Sequence, residues 1–331
     1  MPVTSATSTP QVPESIHPTT TTPAAAKADA KLPSYSERHL NNLGINVKFN
    51  ADLANQKSEN ALKAVSIHRV VNNEVAVTTN ALHNIVPPGS DVVITRSAPH
   101  ISPASPSQTT EGTHRSVAKS DVPLSSIPQS AFSVIDGTWH DAHTINIVAP
   151  GNVFGASGCL SCSEVLLEIP MVTELSPAFE DVTRAFGIKV FGEGETVPVK
   201  FDKCDLNVVE YKITPANHQY SLQEANGFFV ERHEFPHIFM PSSDQDEIII
   251  TVGKQVAENQ FAMANIKVPE GKAIMLPGDT IHTDSLSRGN IVIMLTECVG
   301  ADTVLMHDKD SQPITLRVDS SERIGLAEWH V

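Results

Sequence analysis

Beyond residue 127 the chain is organised by short apolar runs rich in Val, Ile and Phe, with turn residues between them. They fall at 164–169, 208–213, 227–230, 247–252, 261–268, 273–276, 290–295 and 303–306. Short runs at such close spacing predict antiparallel strands of a sandwich or barrel, not alternating strand–helix units. One helix is signposted. Ser176 is placed to cap it, Pro177 suits its first position, and Glu180 and Asp181 suit its positive end. Gly187 is placed to close it. The expected fold class is therefore mainly β, with one short helix.

The first 128 residues have a different texture. They hold 13 of the 23 prolines and, of 17 aromatic residues, only Tyr35 and Phe49. Residues 1–36 are dominated by Ser, Thr, Pro and Ala, too little apolar surface to offset the entropy of ordering. Residues 59–71 read as an amphipathic helix, with Leu62, Val65, Val70 and Val71 near one face and Ser58 as its cap. Val86-Pro87-Pro88-Gly89 then breaks the pattern. The expected organisation is a long disordered region over 1–128, with a segment at 38–97 suited to a protein partner, followed by a β domain over 129–331.

Charge narrows the function classes. The chain carries 23 basic and 38 acidic residues, and its net charge of −15 argues against nucleic acid or an anionic membrane as partner. No stretch approaches the ~18 apolar residues of a membrane span, and the first residues lack a basic start and an apolar stretch. The expected location is the cytoplasm, or a target compartment for a translocated effector. Four cysteines make no disulfide framework, so a reducing environment is the default. Cys159-Leu160-Ser161-Cys162 has a spacing open to zinc, a regulatory disulfide or a plain turn. No Gly-x-Ser-x-Gly, P-loop or Rossmann glycine pattern occurs.

Two segments carry the candidate chemistry. In the second, Gly271 and five residues lead to Pro277-Gly278, then Asp279-Thr280-Ile281-His282. This predicts a strand, a type II turn with Gly278 at positive φ, and a strand that puts Thr280 and His282 on one face. In the first, Glu231, His233 and His237 share parity, but Pro236 breaks an unbroken central strand. Imidazole titrates near neutral pH and also ligates transition metals, so these histidines suit either acid–base or metal chemistry.

The two segments resemble the two motifs of the cupins, double-sheet β-barrels of jelly-roll type that hold a ligand or metal in the lumen. Glycine, five residues, Pro-Gly and then histidine match the second motif. His233-Glu234-Phe235-Pro236-His237 stands where members carry His-x-His. Glu231-Arg232-His233 followed by Ile238-Phe239-Met240-Pro241 is similar to a stretch of the ureidoglycolate lyases, cupins that cleave ureidoglycolate to glyoxylate and urea. Over residues 129–300 the resemblance implies a carbon–nitrogen lyase with His233, His282 and Glu231 as acid–base residues. Arg232, Lys254 and Arg288 are then the cations for the substrate's carboxylate. The alternatives are a metal-dependent cupin oxygenase or isomerase, and a non-enzymatic binding module or effector with a disordered tether. A metal set would comprise His233, His237 and His282 around one divalent transition metal, with Asp246 or Glu247 as a further ligand. Other expected partners are a small-molecule substrate and a second copy in a homodimer.

Overall fold

The computed structural model describes residues 45–49, 67–71, 74–95, 101–104, 122–140, 158–162, 166–217, 229–296, 302–308 and 315–318. Two eight-stranded sheets carry the fold. The first runs in the order β1 (Ile45–Phe49), β2 (Ile67–Val71), β3 (Glu74–Val86), β12 (Leu206–Ile213), β19 (Gly289–Leu295), β14 (His237–Pro241), β17 (Ala273–Leu276) and β10 (Lys189–Phe191). Every pairing in it is antiparallel. The second runs β15 (Ile249–Ala257), β18 (Ile281–Thr283), β13 (Phe229–Arg232), β20 (Asp302–Asp308), β7 (Gly158–Cys162), β6 (Ser133–His140), β16 (Gln260–Lys267) and β9 (Met171–Val172). Because β15 also pairs with β16, the second sheet curls until it closes on itself. A small sheet of β11 (Thr196–Val197), β4 (Val92–Ile94) and β5 (Ile101–Pro103) and a parallel pair of β8 (Leu166–Ile169) with β21 (Thr315–Val318) complete the described strands.

Each of the eight apolar runs expected from the sequence overlaps one of these strands in its described residues. Strand alternation sorts their side chains into three apolar layers. Val209, Phe239, Leu276 and Ile293 of the first sheet face Ile250, Val252 and Ile266 across the space between the two sheets. On the other face of the first sheet, Val208, Ile238, Met275 and Val292 pack under Val92, Ile94 and Ile101. The back of the second sheet encloses Val230, Phe261, Met263 and Ile281 within its curl. A sheet covered on both faces needs continuous apolar strands, which is why β14 and β17 are buried at every position.

The helix is present as α1 (Phe179–Ala185), with Phe179, Val182 and Ala185 turned into the layer between the sheets. Gly187 closes it at φ +74°. Its start differs from expectation. The first flanking residue is Ala178, with no side-chain cap, and Ser176 Oγ instead accepts from Thr173 N at 3.0 Å. The Thr-Glu-Leu-Ser turn takes the hydroxyl before the helix can.

The first 128 residues contribute to the sheets. Residues 67–71, expected to end a helix, form β2, and the rest of that expected helix lies outside the described residues. The following β3 pairs with β12 from Val77 to Val86, so the first sheet draws on residues either side of position 128. Cross-strand pairing outweighs the helical spacing of Val70 and Val71, both of which are β-branched. The disorder expected for 1–36 lies outside the described residues, and of the partner segment at 38–97 only residues 45–49, 67–71 and 74–95 are described. Among the described residues no helix is long and apolar enough to cross a membrane.

Candidate metal centre

Between β13 and β14 the chain crosses from the second sheet to the first. Residues 233–236 form the corner, and Pro236 is tolerated there because it lies off the ladder. Along β13, Val230 turns into the curl of the second sheet and Glu231 turns the opposite way, toward the first sheet. Glu231 is registered directly across from His282 on β18. On β14, His237 shares its face with Phe239 in the layer between the sheets. A seven-residue stretch thus delivers Glu231, His233 and His237 to one place, and β18 adds His282.

The three imidazoles meet edge to face, with ring centroids 4.4 Å (His233 and His237), 5.0 Å (His233 and His282) and 4.9 Å (His237 and His282) apart. Each ring is held by a main-chain carbonyl. His233 Nδ1–H donates to Phe235 O at 2.8 Å, His237 Nδ1–H to Met294 O at 3.0 Å, and His282 Nδ1–H to Thr280 O at 2.8 Å. With Nδ1 committed as a donor, Nε2 of each neutral ring keeps its lone pair. One donor atom from each of the three histidines and from Glu231 lies within 4.8 Å of the others. Nε2 of His233 and of His282 is buried with no hydrogen-bond partner. Glu231 Oε1 stands 3.3 Å from His282 Nε2, within ion-pair reach.

Aromatic rings wall the cluster. Phe235 stacks on His233 with centroids 3.6 Å apart at 7°, and Phe239 stacks on His237 at 4.9 Å. Burial and the neighbouring imidazoles push His233 down to about 3 and hold His237 well below its ordinary value, so both stay neutral. Burial also opposes charge on His282 and Glu231, but their mutual attraction outweighs it. His282 is raised and Glu231 lowered, so the pair holds one proton on the imidazole.

These shifts set a pH dependence for the metal-free protein. A folded chain that refuses protons at His233 and His237 loses stability as pH falls below about 6.5, where the unfolded imidazoles take them up. His282 has the opposite sign: its contribution is complete below the unfolded value and is lost as pH rises through its raised folded pKa. That of Glu231 is present above about 4.5 and lost as pH falls through its lowered folded value. The urea midpoint, measured without metal, is therefore expected to be highest near pH 6.5 and to fall toward pH 5. An equal or higher midpoint at pH 5 would contradict the assignment of neutral His233 and His237.

The Pro-Gly turn fixes two of the rings at once. Asp279 N donates to His233 O at 2.6 Å, and Thr280 O is the acceptor for His282. The positive φ expected at Gly278 sits one residue later, at Asp279 (φ +63°). Gly278 is needed for another reason. A Cβ there would lie 2.8 Å from the carbonyl carbon of Glu234 and closer still to its oxygen.

The other sequence candidates lie elsewhere. Arg232 turns away from the cluster, its guanidinium 4.7 Å from the Trp139 ring centroid. Lys254 Nζ donates to Ala185 O at 3.1 Å, at the end of α1. Arg288 forms a strand bridge with Glu247, whose carboxylate is 3.1 Å from Lys267 Nζ. Asp246 Oδ1 accepts from Asn290 N at 2.7 Å and fastens a turn. Neither Asp246 nor Glu247 is in the cluster; the carboxylate that joins the histidines is Glu231. Phe235 and Phe239 were not singled out from the sequence, although the parity of Phe239 with His237 marks it as a neighbour. Residues 159 and 162 sit on β7 and not in a turn; Cys162 is a buried thiol, and the Cys159 side chain lies outside the described residues. Cys204 is disulfide-bonded.

The donor set fits a transition metal. An ion bound at ~2.0–2.2 Å by nitrogen and oxygen donors places those donors roughly 3.4 Å apart in a tetrahedron and about 4.2 Å apart when opposed. Donors up to 4.8 Å apart reach this by moving inward roughly 0.3 Å each for an opposed pair and at most about 0.8 Å each for a tetrahedron. The carbonyl bonds at the three Nδ1 atoms are the second-shell contacts that orient imidazole ligands. Compared with known proteins, the chain matches no family model, no curated protein and no solved structure.

Proposed function

We propose that the protein is a cupin-like metalloprotein that holds one divalent first-row transition ion through His233, His237, His282 and Glu231 and uses it on a small molecule. The observation that carries this reading is the buried, unpartnered Nε2 of His233 beside the buried Nε2 of His282, whose one contact is Glu231, in a cluster that includes His237. Buried polar atoms without partners are rare in folded proteins, and a bound ion satisfies both at once. Three imidazoles and one carboxylate suit zinc, iron, nickel or copper once the proton on His282 is released as the ion binds.

When bound, such an ion polarises a ligand oxygen and lowers the pKa of coordinated water. The chain's own residues do the rest. The carbonyls of Phe235, Thr280 and Met294 orient the rings, and Phe235 and Phe239 shield them on the apolar side. Glu231 is the donor nearest solvent, its side chain 28% exposed, so it is placed to accept a proton from an incoming ligand.

A second reading follows from the proton shared by His282 and Glu231. Without metal, that pair offers an acid and a base for carbon–nitrogen cleavage of the ureidoglycolate lyase kind. It lacks support from Arg232 and Lys254, which are turned to Trp139 and to α1. Elemental analysis of untagged protein after incubation with Zn²⁺, Co²⁺, Ni²⁺, Fe²⁺ and Mn²⁺ separates the two. About one ion per chain, retained through gel filtration, is the expected result. No retained ion together with glyoxylate release from ureidoglycolate would favour the lyase.

A further inference from the structure

The ring that closes the second sheet is unevenly paired. β15 and β16 are in register from Ile249 to Gln255, with a bulge before Ala257, β13 and β20 along Phe229–Arg232, and β7 and β20 from Gly158 to Cys162. Three registered pairs join β15 to β18. Between β13 and β18 there is one, Glu231 with His282. The thinnest seam of the ring is therefore bounded by two of the four donors in the cluster. The other two tie that seam to the corner at 233–236 and to β14 of the first sheet.

From this placement we infer that the ion is a lock on the β13–β18 seam: its binding joins the two strands to each other and to the first sheet, and its removal lets the seam open below the threshold of global unfolding. The inference rests on the metal reading above. Without an ion, the seam is held by a single registered pair and one ion-pair contact of 3.3 Å between Glu231 and His282 Nε2, beside the buried Nε2 of His233, which has no partner. Opening releases those nitrogens to water, which favours the open state. An ion that needs donors from both strands is lost when they part, so its binding free energy is added to the cost of opening. On the seam itself the donors stand on short strands, Glu231 on the four-residue β13 and His282 on the three-residue β18, joined by one registered pair.

Amide hydrogen exchange, with Zn²⁺ as the probe and its stoichiometry measured on the same samples, tests the lock. In metal-free protein the amides of Phe229–Arg232 and Ile281–Thr283 are expected to exchange ahead of those of the β15–β16 hairpin. With free Zn²⁺ at about 100 times its Kd, exchange at those two segments is expected to slow about 100-fold. If Zn²⁺ binds at about one per chain but the two segments do not slow, the lock is overturned and the metal site stands. The lock also falls if those segments are already as protected as the hairpin without metal. If no Zn²⁺ binds, both the lock and the metal reading fall.

Discussion

The His237→Ala variant is expected to fold and to bind no metal. Retained Zn²⁺ should drop from about one ion per chain to below a tenth, with affinity reduced by more than the roughly 100-fold typical of second-shell changes. The reason is positional. His237 is the donor contributed by the first sheet, and its ring is fixed between Met294 O and Phe239, so no neighbouring side chain can take its place. The fold should survive, because the substitution removes a buried imidazole and leaves one backbone carbonyl short of a donor, a cost of ~1–3 kcal/mol. Glu231→Gln should weaken binding less than His237→Ala, since the partly exposed amide oxygen can still coordinate and water can replace it. Glu247→Gln should leave binding unchanged, because that carboxylate faces Lys267 on β16. Isothermal titration with Zn²⁺ measures all three. Full affinity in His237→Ala, or its loss in Glu247→Gln, would dismantle the assignment of the four donors.

How the four donors meet also marks what a sequence can reveal. His282 was legible because glycine, five residues and Pro-Gly describe a strand and turn with histidine at a fixed offset. Its alternation with Ile281 then decides which layer each enters. His233 and His237 were legible as chemistry but not as geometry. Pro236 correctly signalled that they do not share a strand. It could not show that the break is a corner between two facing sheets, which brings the rings together instead of separating them. Glu231 had the right parity with His233, yet its place beside His282 depends on a register between strands some fifty residues apart. Asp246 and Glu247 follow His237 in the sequence as the nearest candidate carboxylate ligands, but local turn bonds and a lysine occupy them. The segment β3 was hidden differently: Thr, Asn and His among its valines lowered its apolar content, and its stability comes from β12 on the far side of the sequence.

Gly278→Ala is expected to damage the site from behind. The added methyl would meet the main chain of Glu234, its carbonyl carbon only 2.8 Å away, and backbone cannot rotate aside as a flexible side chain would. Either the turn or the corner must shift. Both positions hold ring anchors: the turn supplies Thr280 O to His282 and Asp279 N to His233 O, while the corner supplies Phe235 O to His233. Overpacking of this kind costs ~1–3 kcal/mol, a drop of several degrees in Tm for a domain of this size. Displaced anchors should weaken Zn²⁺ binding by roughly 10- to 100-fold. Gly89→Ala is the control. It is strained at φ +73° but meets nothing within 4 Å, so it should cost about 1–2 kcal/mol and leave metal affinity untouched. Co²⁺ reports the geometry directly, since its visible absorption depends on coordination number and symmetry. A changed Co²⁺ spectrum in Gly278→Ala, with an unchanged one in Gly89→Ala, is the expected pair of results. Identical spectra and affinities in both variants would mean that the turn is merely a connection, and that the histidines hold their places without it.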